Sequence, residues 1–308
     1  MPKKHKQKHQ PPQSTQTHQR LPSAPTVFRF TILDFETHQE VERASQAIRS
    51  YVGDRDRASV ERIERAKSAE EVLDLAVEAT GLADAAWFER VRQFGPAIVP
   101  VMTQRLKASR DIADPDDQTQ VREHLIAALR WRGTIGGQAL QECFADLDEY
   151  AQGLAATVFG ILHARASADS IWDLFQRTKQ NPETYFVGAL WGLIDLKDPR
   201  AADALAELLV FRRQYYEMYG FLARAGDAQA VAPFVTLIVL GAKADREQAS
   251  YALSAMAHRI GREKSVAALK GEAPAEQYEK AEHTVDKLLE FPLDDIQRYF
   301  DLFYRGQT

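Results

Sequence analysis

A short helical unit returns along this chain at intervals of about thirty residues. Leu196-Lys-Asp-Pro-Arg-Ala-Ala-Asp-Ala-Leu-Ala-Glu-Leu-Leu209 reads as a tight turn followed by an amphipathic helix. Ala225-Gly-Asp-Ala-Gln-Ala-Val-Ala-Pro-Phe-Val-Thr-Leu-Ile238 repeats that design. A unit of this size cannot bury its apolar face alone, so neighbouring copies must stack. The recurrence therefore predicts an all-α solenoid of helix pairs.

The repeat extends outward from these two copies. First helices close at Leu129, Leu162, Leu193 and Leu222, giving steps of 33, 31 and 29, with a further step of 34 to Met256. Second helices are expected nine and twelve residues after Leu162, Leu193 and Leu222, at Ile171 and Leu174, Ala202 and Leu205, and Val231 and Phe234, with a slip of one after Leu129 through the Gly133-Thr-Ile-Gly-Gly137 turn. Leu154, Val158, Ile161 and Leu162 have the spacing of one buried stripe. Gly133, Gly136, Pro199 and Gly226 punctuate the turns. Asp198-Pro199 places an N-cap acceptor before a proline suited to a first helical position.

The stretch from Leu196 to Leu209 resembles the bacterial HEAT repeats of the kind found in phycobilin lyase subunits. Their consensus runs Asp-Pro-Arg, then alanine, then leucines. The copy from Ala225 to Ile238 looks like the same unit with that proline lost. The resemblance covers roughly residues 95 to 270 and is strongest over 183 to 240. It implies a right-handed α-α superhelix with the second helices on the concave side. It implies no single activity, because one fold serves many functions.

Helical caps are expected on both sides of the repeats. Residues 27–94 read as an N-terminal helical cap, with capping boxes at Thr37-His-Gln-Glu40 and Ser68-Ala-Glu-Glu71, stops at Gly53 and Gly81, and a stripe of Val72, Leu75, Ala76 and Ala79. Val27 to Phe35 is the one stretch that suits a strand, and equally an extended lead-in. Residues 271–308 read as a C-terminal helical cap. Its stripes are Tyr278, Ala281, Val285, Leu288 and Leu289, then Ile296, Tyr299, Phe300 and Phe303. The alternative for that end is a docking helix for a partner's groove.

Residues 1–26 have a different character. Lys3, Lys4, Lys6, Lys8 and Arg20 give the first twenty residues a charge of +5, so the remainder carries −10 of the overall −5. A segment this rich in lysine, histidine, glutamine and proline buries too little apolar surface to order itself, and reads as a disordered basic tail. It suits a solvated arm. Lys3, Lys4, Lys6 and Lys8 also suit weak contact with a polyanion or nucleic acid. Metal binding by His5 and His9 would need a helix, which Pro11-Pro12 and the lysines disfavour.

The single cysteine, Cys143, rules out a disulfide within the chain and fits a reducing compartment. The longest apolar run, Val231 to Leu240, is too short to span a bilayer. No apolar segment follows the basic start, as a secretory signal would require. A cytoplasmic protein without membrane contact is expected.

Catalytic signatures are sparse. Gly133, Gly136 and Gly137 lack the lysine and the strand of a phosphate loop, and no Gly-x-Ser-x-Gly occurs. Cys143 beside Phe144 suits packing. Stacked repeats would bring His124 near His163, with His258 further along. The HEAT-type hydroxylases of the deoxyhypusine class, which this architecture resembles, hold iron with paired His-Glu motifs, and this chain has no His-Glu dipeptide. Trp191 and Asp195 match the spacing in the active site of HEAT-like DNA glycosylases. That family also needs a later tryptophan and a basic concave face, so Trp191 reads as packing between repeats.

What remains is a surface. Phe211-Arg-Arg-Gln-Tyr-Tyr-Glu-Met-Tyr219 joins two arginines to three tyrosines, the residue types that anchor interfaces. Tyr215, Met218, Tyr219 and Leu222 fit a buried stripe, leaving Arg212, Arg213 and Tyr216 as candidate partner-binding residues. The expectation is a non-catalytic scaffold or adaptor that binds another protein, with no cofactor, metal or catalytic residue. The alternative is an enzyme or lyase-like enzyme subunit that uses the concave face as a substrate cradle.

Overall fold

The structure is a computed structural model that describes residues 54–80, 82–181, 185–211, 218–228, 243–272 and 278–295. Every regular element among them is helical. In chain order the α-helices are α1 (Asp54–Arg65), α2 (Ala69–Asp74), α3 (Leu82–Gln93), α4 (Val99–Ala108), α5 (Pro115–Arg130), α6 (Thr134–Cys143) and α7 (Glu149–Ile161). There follow α8 (Ala168–Thr178), α9 (Phe186–Asp195), α10 (Arg200–Phe211), α11 (Met218–Ala225), α12 (Lys243–Ile260), α13 (Arg262–Glu272) and α14 (Tyr278–Leu289). No helix among the described residues is long and apolar enough to cross a membrane.

The helices pack in a regular order. α5, α7, α9, α11 and α12 lie side by side in sequence, while α6, α8 and α10 each pack on the helix before them. Among the described residues, extensive contacts join only elements close together along the chain. The core runs through the stack: Leu129, Leu193 and Leu222 are fully buried and Met256 nearly so.

Local chemistry explains the helix starts. Ser68 caps α2 by accepting from the Glu71 amide at 3.2 Å, and Glu71 Oε2 accepts from the Lys67 amide at 2.6 Å. This is the expected capping box, with its return bond shifted by one residue. At α10, Asp198 Oδ1 accepts from the Arg200 amide at 2.9 Å. A second Asp-Pro pair works the same way at α5, where Asp114 Oδ1 accepts from the amides of Asp116 and Asp117.

Four details depart from the sequence expectation. First, Leu162 is not equivalent to Leu193. It is the C-cap residue of α7, and Leu196 holds that place in α9. The left-handed residues that follow are His163 and Lys197. Second, the buried stripe of α8 is Ile171, Leu174, Phe175 and Thr178, while that of α10 is Ala201, Ala204, Leu205 and Leu208. Ala202 is only half-buried. The offsets hold at Ile171, Leu174 and Leu205 and slip only at Ala202, where an extra 3-10 turn at Arg165–Ser167 makes the connection into α8 longer than the one into α10. Third, Gly136 lies inside α6, where a Cβ would sit 1.8 Å from the Leu129 carbonyl oxygen. It permits close approach, and Gly133, at φ 58°, makes the turn. Fourth, Tyr278 is exposed, with the Lys270 ammonium 5.4 Å from its ring centre.

α7 is buried all round from Ala151 to Gly160, rather than along one stripe. Small residues allow this. A Cβ on Gly188 of α9 would fall 2.0 Å from the Gly153 carbonyl oxygen, and one on Gly192 would fall 2.5 Å from that of Ala156. The two backbones touch, with no side chain between them.

Candidate functional site

Arg212, Arg213 and Tyr216 lie outside the described residues, as do the basic tail, the Thr37 capping box, Val27 to Phe35, Val231, Phe234 and the stripe from Ile296 to Phe303. Of the stripe expected beside them, Tyr219 and Leu222 are buried, and Tyr215 lies outside the described residues.

One buried polar arrangement joins α3, α5 and α7. Two consecutive residues of α5 point to opposite neighbours. His124 reaches back to α3, where Nε2 lies 3.1 Å from Asp84 Oδ1. Its Nδ1 donates to the Gln120 carbonyl at 2.8 Å, since a carbonyl can only accept. Trp87 meets the imidazole edge-on at 5.2 Å and Phe88 stacks on it at 5.5 Å. Glu123 reaches forward to α7 and accepts from the Tyr150 hydroxyl at 2.6 Å. Burial pushes the Glu123 carboxyl above the usual carboxylate range, partly opposed by the Tyr150 bond. Burial, and then the Glu123 charge, push the Tyr150 phenol well above its ordinary value, so it remains a donor. Both imidazole nitrogens are engaged within the chain. The arrangement therefore fixes three helices relative to one another.

His163 does not join His124. It is exposed at the end of α7, at φ 53°. His258 Nε2 faces the Phe291 carbonyl oxygen at 2.9 Å. Among the described residues no three of His, Cys, Asp and Glu are grouped to hold a metal ion. Cys143 is buried at the end of α6, and burial pushes its thiol pKa up. Such a thiol is a poor nucleophile.

Trp191 packs between neighbouring helices as expected, with the Phe221 ring 4.6 Å away. The Arg224 guanidinium lies 4.8 Å from the indole centre and 3.5 Å from Asp195. A second arginine-tryptophan contact recurs on the other row of helices. Arg200 of α10 lies 5.5 Å from the Trp172 ring of α8 and 2.9 Å from Asp169. In both cases a later helix lays an arginine over an earlier tryptophan beside an aspartate. Sequence reasoning missed the pairing because the partners lie 28 and 33 residues apart, across a helix boundary.

Arginines also close helix ends. Arg90 of α3 donates to the Ala66 carbonyl just beyond α1, with one bond of 3.0 Å. Arg132 donates to Val91 in the last turn of α3 at 2.7 Å. Arg259 of α12 donates to the carbonyls of Leu222, Ala223 and Gly226 around the end of α11. A helix C-terminus presents unpaired carbonyls and partial negative charge, which a guanidinium satisfies together. Comparison of the chain with protein-family models, with curated proteins and with solved structures returned no match.

Proposed function

We propose that this chain is a non-catalytic scaffold or adaptor that binds another protein, built as a right-handed HEAT-like superhelix of stacked helix pairs. The observation that carries this reading is the packing order. Each helix meets its neighbours in sequence, and substantial contacts between distant segments are missing among the described residues. A stack of that kind keeps a long surface available to a partner instead of folding it into one closed core. The binding residues proposed on it are Arg212, Arg213 and Tyr216. Lys3, Lys4, Lys6 and Lys8 are proposed to add weak, salt-sensitive polyanion contact, and the cytoplasm is the proposed compartment.

The test is quantitative affinity capture with the full chain and with the Arg212→Ala, Arg213→Ala, Tyr216→Ala triple variant, each with and without nuclease. The expected result is a defined protein set that survives nuclease and is lost with the triple variant, while the helical circular dichroism signal is unchanged. Identical capture by both proteins would remove these three residues as the binding site. An absence of any specific protein would sink the scaffold reading.

A further inference from the structure

The segment from α1 to α3 meets α5 along one face of that helix. Gln120, His124 and Ala128 stand four residues apart there, and Arg132 continues the line just past the helix end. Gln120 Nε2 donates to the carbonyls of Ala76 and Ala79 at 2.9 and 3.1 Å. Ala128 is buried, and Arg132 donates to the Val91 carbonyl. An amide and a guanidinium keep their hydrogens at any pH a protein meets. His124, at the middle of this seam, bonds Asp84 of α3 through a hydrogen that can leave.

The number of hydrogens on the ring follows from its two acceptors. Nδ1 carries one, because it faces the Gln120 carbonyl at 2.8 Å. A neutral imidazole then has a bare lone pair at Nε2, with Asp84 Oδ1 3.1 Å away. A lone pair and a carboxylate oxygen at that distance repel. The contact is a hydrogen bond only when the pair holds one more proton, and an imidazole is ordinarily the stronger base, so Nε2 takes it. The ring is 6% exposed and lies against Trp87 and Phe88, so water has little access to replace a lost partner. Glu123 stands beside it on α5 and is bonded to Tyr150 of α7. Arg122 turns the other way, to Ser109 and Asp148. Behind Gln120, Glu78 pairs with Arg62, and Arg105 of α4 pairs with Asp74 of α2. Of these groups and Asp84, only Asp84 bonds the imidazole.

We propose that His124 and Asp84 form a proton-operated latch between α3 and α5, closed while Nε2 is protonated and released when that proton leaves. Protonation makes the bond, so the latch is shut on the acid side and opens as pH rises. Gln120 and Arg132 still bridge the seam when it opens. The response is therefore a local loosening of α3, with the stack remaining folded.

The test uses the full chain and two measurements. Nitrogen NMR of isotope-labelled histidine counts the hydrogens on each ring. At about pH 7, where an ordinary exposed imidazole has mostly lost its second hydrogen, His124 is expected to keep both. Amide exchange followed by mass spectrometry reports on Leu82–Gln93 from about pH 6 to about pH 9, corrected for the intrinsic rise of exchange with pH. Protection of α3 is expected to fall by up to about tenfold per pH unit as Nε2 loses its proton, the limit for a single proton. Asp84→Asn separates a latch from a merely structural contact, because its amide can donate to a neutral Nε2. That variant should protect α3 equally at every pH, with one hydrogen on the His124 ring. Glu123→Gln should keep the pH dependence of α3. A single ring hydrogen on His124 at about pH 7 in the folded wild type overturns the proposal, as does wild-type α3 protection that ignores pH. A dependence lost in Glu123→Gln and kept in Asp84→Asn overturns it in favour of the neighbouring carboxylate. Should Asp84→Asn unfold, the hydrogen count in the wild type decides.

Discussion

Where α7 meets α9, backbone lies against backbone. Where α5 meets its neighbours α3 and α7, side chains span the gap and bond across it. The first contact works through what is missing: Gly153, Gly160, Gly188 and Gly192 leave room for close approach, and stabilisation comes from dense packing. The second works through matched donors and acceptors, Asp84 with His124 and Glu123 with Tyr150. One stack thus holds a joint tolerant of no added volume and a joint tolerant of no lost partner. Burial alone does not distinguish them, since His124 is 6% exposed and Leu193 fully buried.

The sharpest way to break this contrast is Gly188→Val. Its Cβ would overlap the Gly153 carbonyl, so the helices must separate, and a loss of about 3 kcal/mol in urea unfolding is expected. A loss below about 1 kcal/mol would show that the joint relaxes freely, contrary to the packing argument.

At the polar joint, Asp84→Ala should cost about 2 kcal/mol, because it leaves the buried His124 nitrogen without its partner. Replacing both residues, Asp84→Leu with His124→Leu, should recover more than half of that loss, since an apolar pair leaves nothing unpaired. A double variant no better than the single one would mean that the bond itself, and not the orphaned partner, carries the stability.

The helix order, the caps at Ser68 and Asp198 and the buried closing leucines at 129, 193 and 222 were legible in the sequence, because each depends on spacing within one helix. The polar joint was not. Glu123 and His124 are adjacent in sequence, but which neighbour each faces follows from how three helices pack. The second-helix register at Ala202 was misplaced for a related reason. A 3-10 turn lengthens one connection, and no residue pattern at Arg165–Ser167 announces it. The arginine-tryptophan contacts involve residue types visible in the chain, yet their partners lie one helix pair away.

A pH series separates two carboxylates. Glu123 has a raised pKa through burial, so the folded state holds its proton more tightly than the unfolded chain. Its contribution is fully present below the unfolded pKa and is lost as pH rises through the folded one. Asp198 is lowered, chiefly by its side-chain bond to Arg200, so its contribution is present above the unfolded pKa and is lost as pH falls through the folded one. Urea midpoints across the acid range should show Glu123→Gln removing a decline with rising pH, and Asp198→Asn removing a decline with falling pH. Two variants that bend the curve in the same direction would contradict these environments.

The smallest effect is expected at the exposed Glu61–Arg65 pair on α1, where the side chains are 49% and 77% exposed. Glu61→Gln should change stability by about 0.3 kcal/mol, with the effect fading at high salt. It sets the scale against which both joints are judged.

The arginines that close helix ends have a consequence for the growing chain. Arg90 comes 24 residues after Ala66, Arg132 comes 41 after Val91, and Arg259 comes 33 after Gly226. In each case the closing group is made later than the helix end it serves. On the ribosome, a helix waits with bare carbonyls until the next stretch of message has been read. These three contacts can form only once the later helix has been made, whereas the Arg110 bond to the Asp146 carbonyl runs the other way, its donor made 36 residues before the carbonyl it serves.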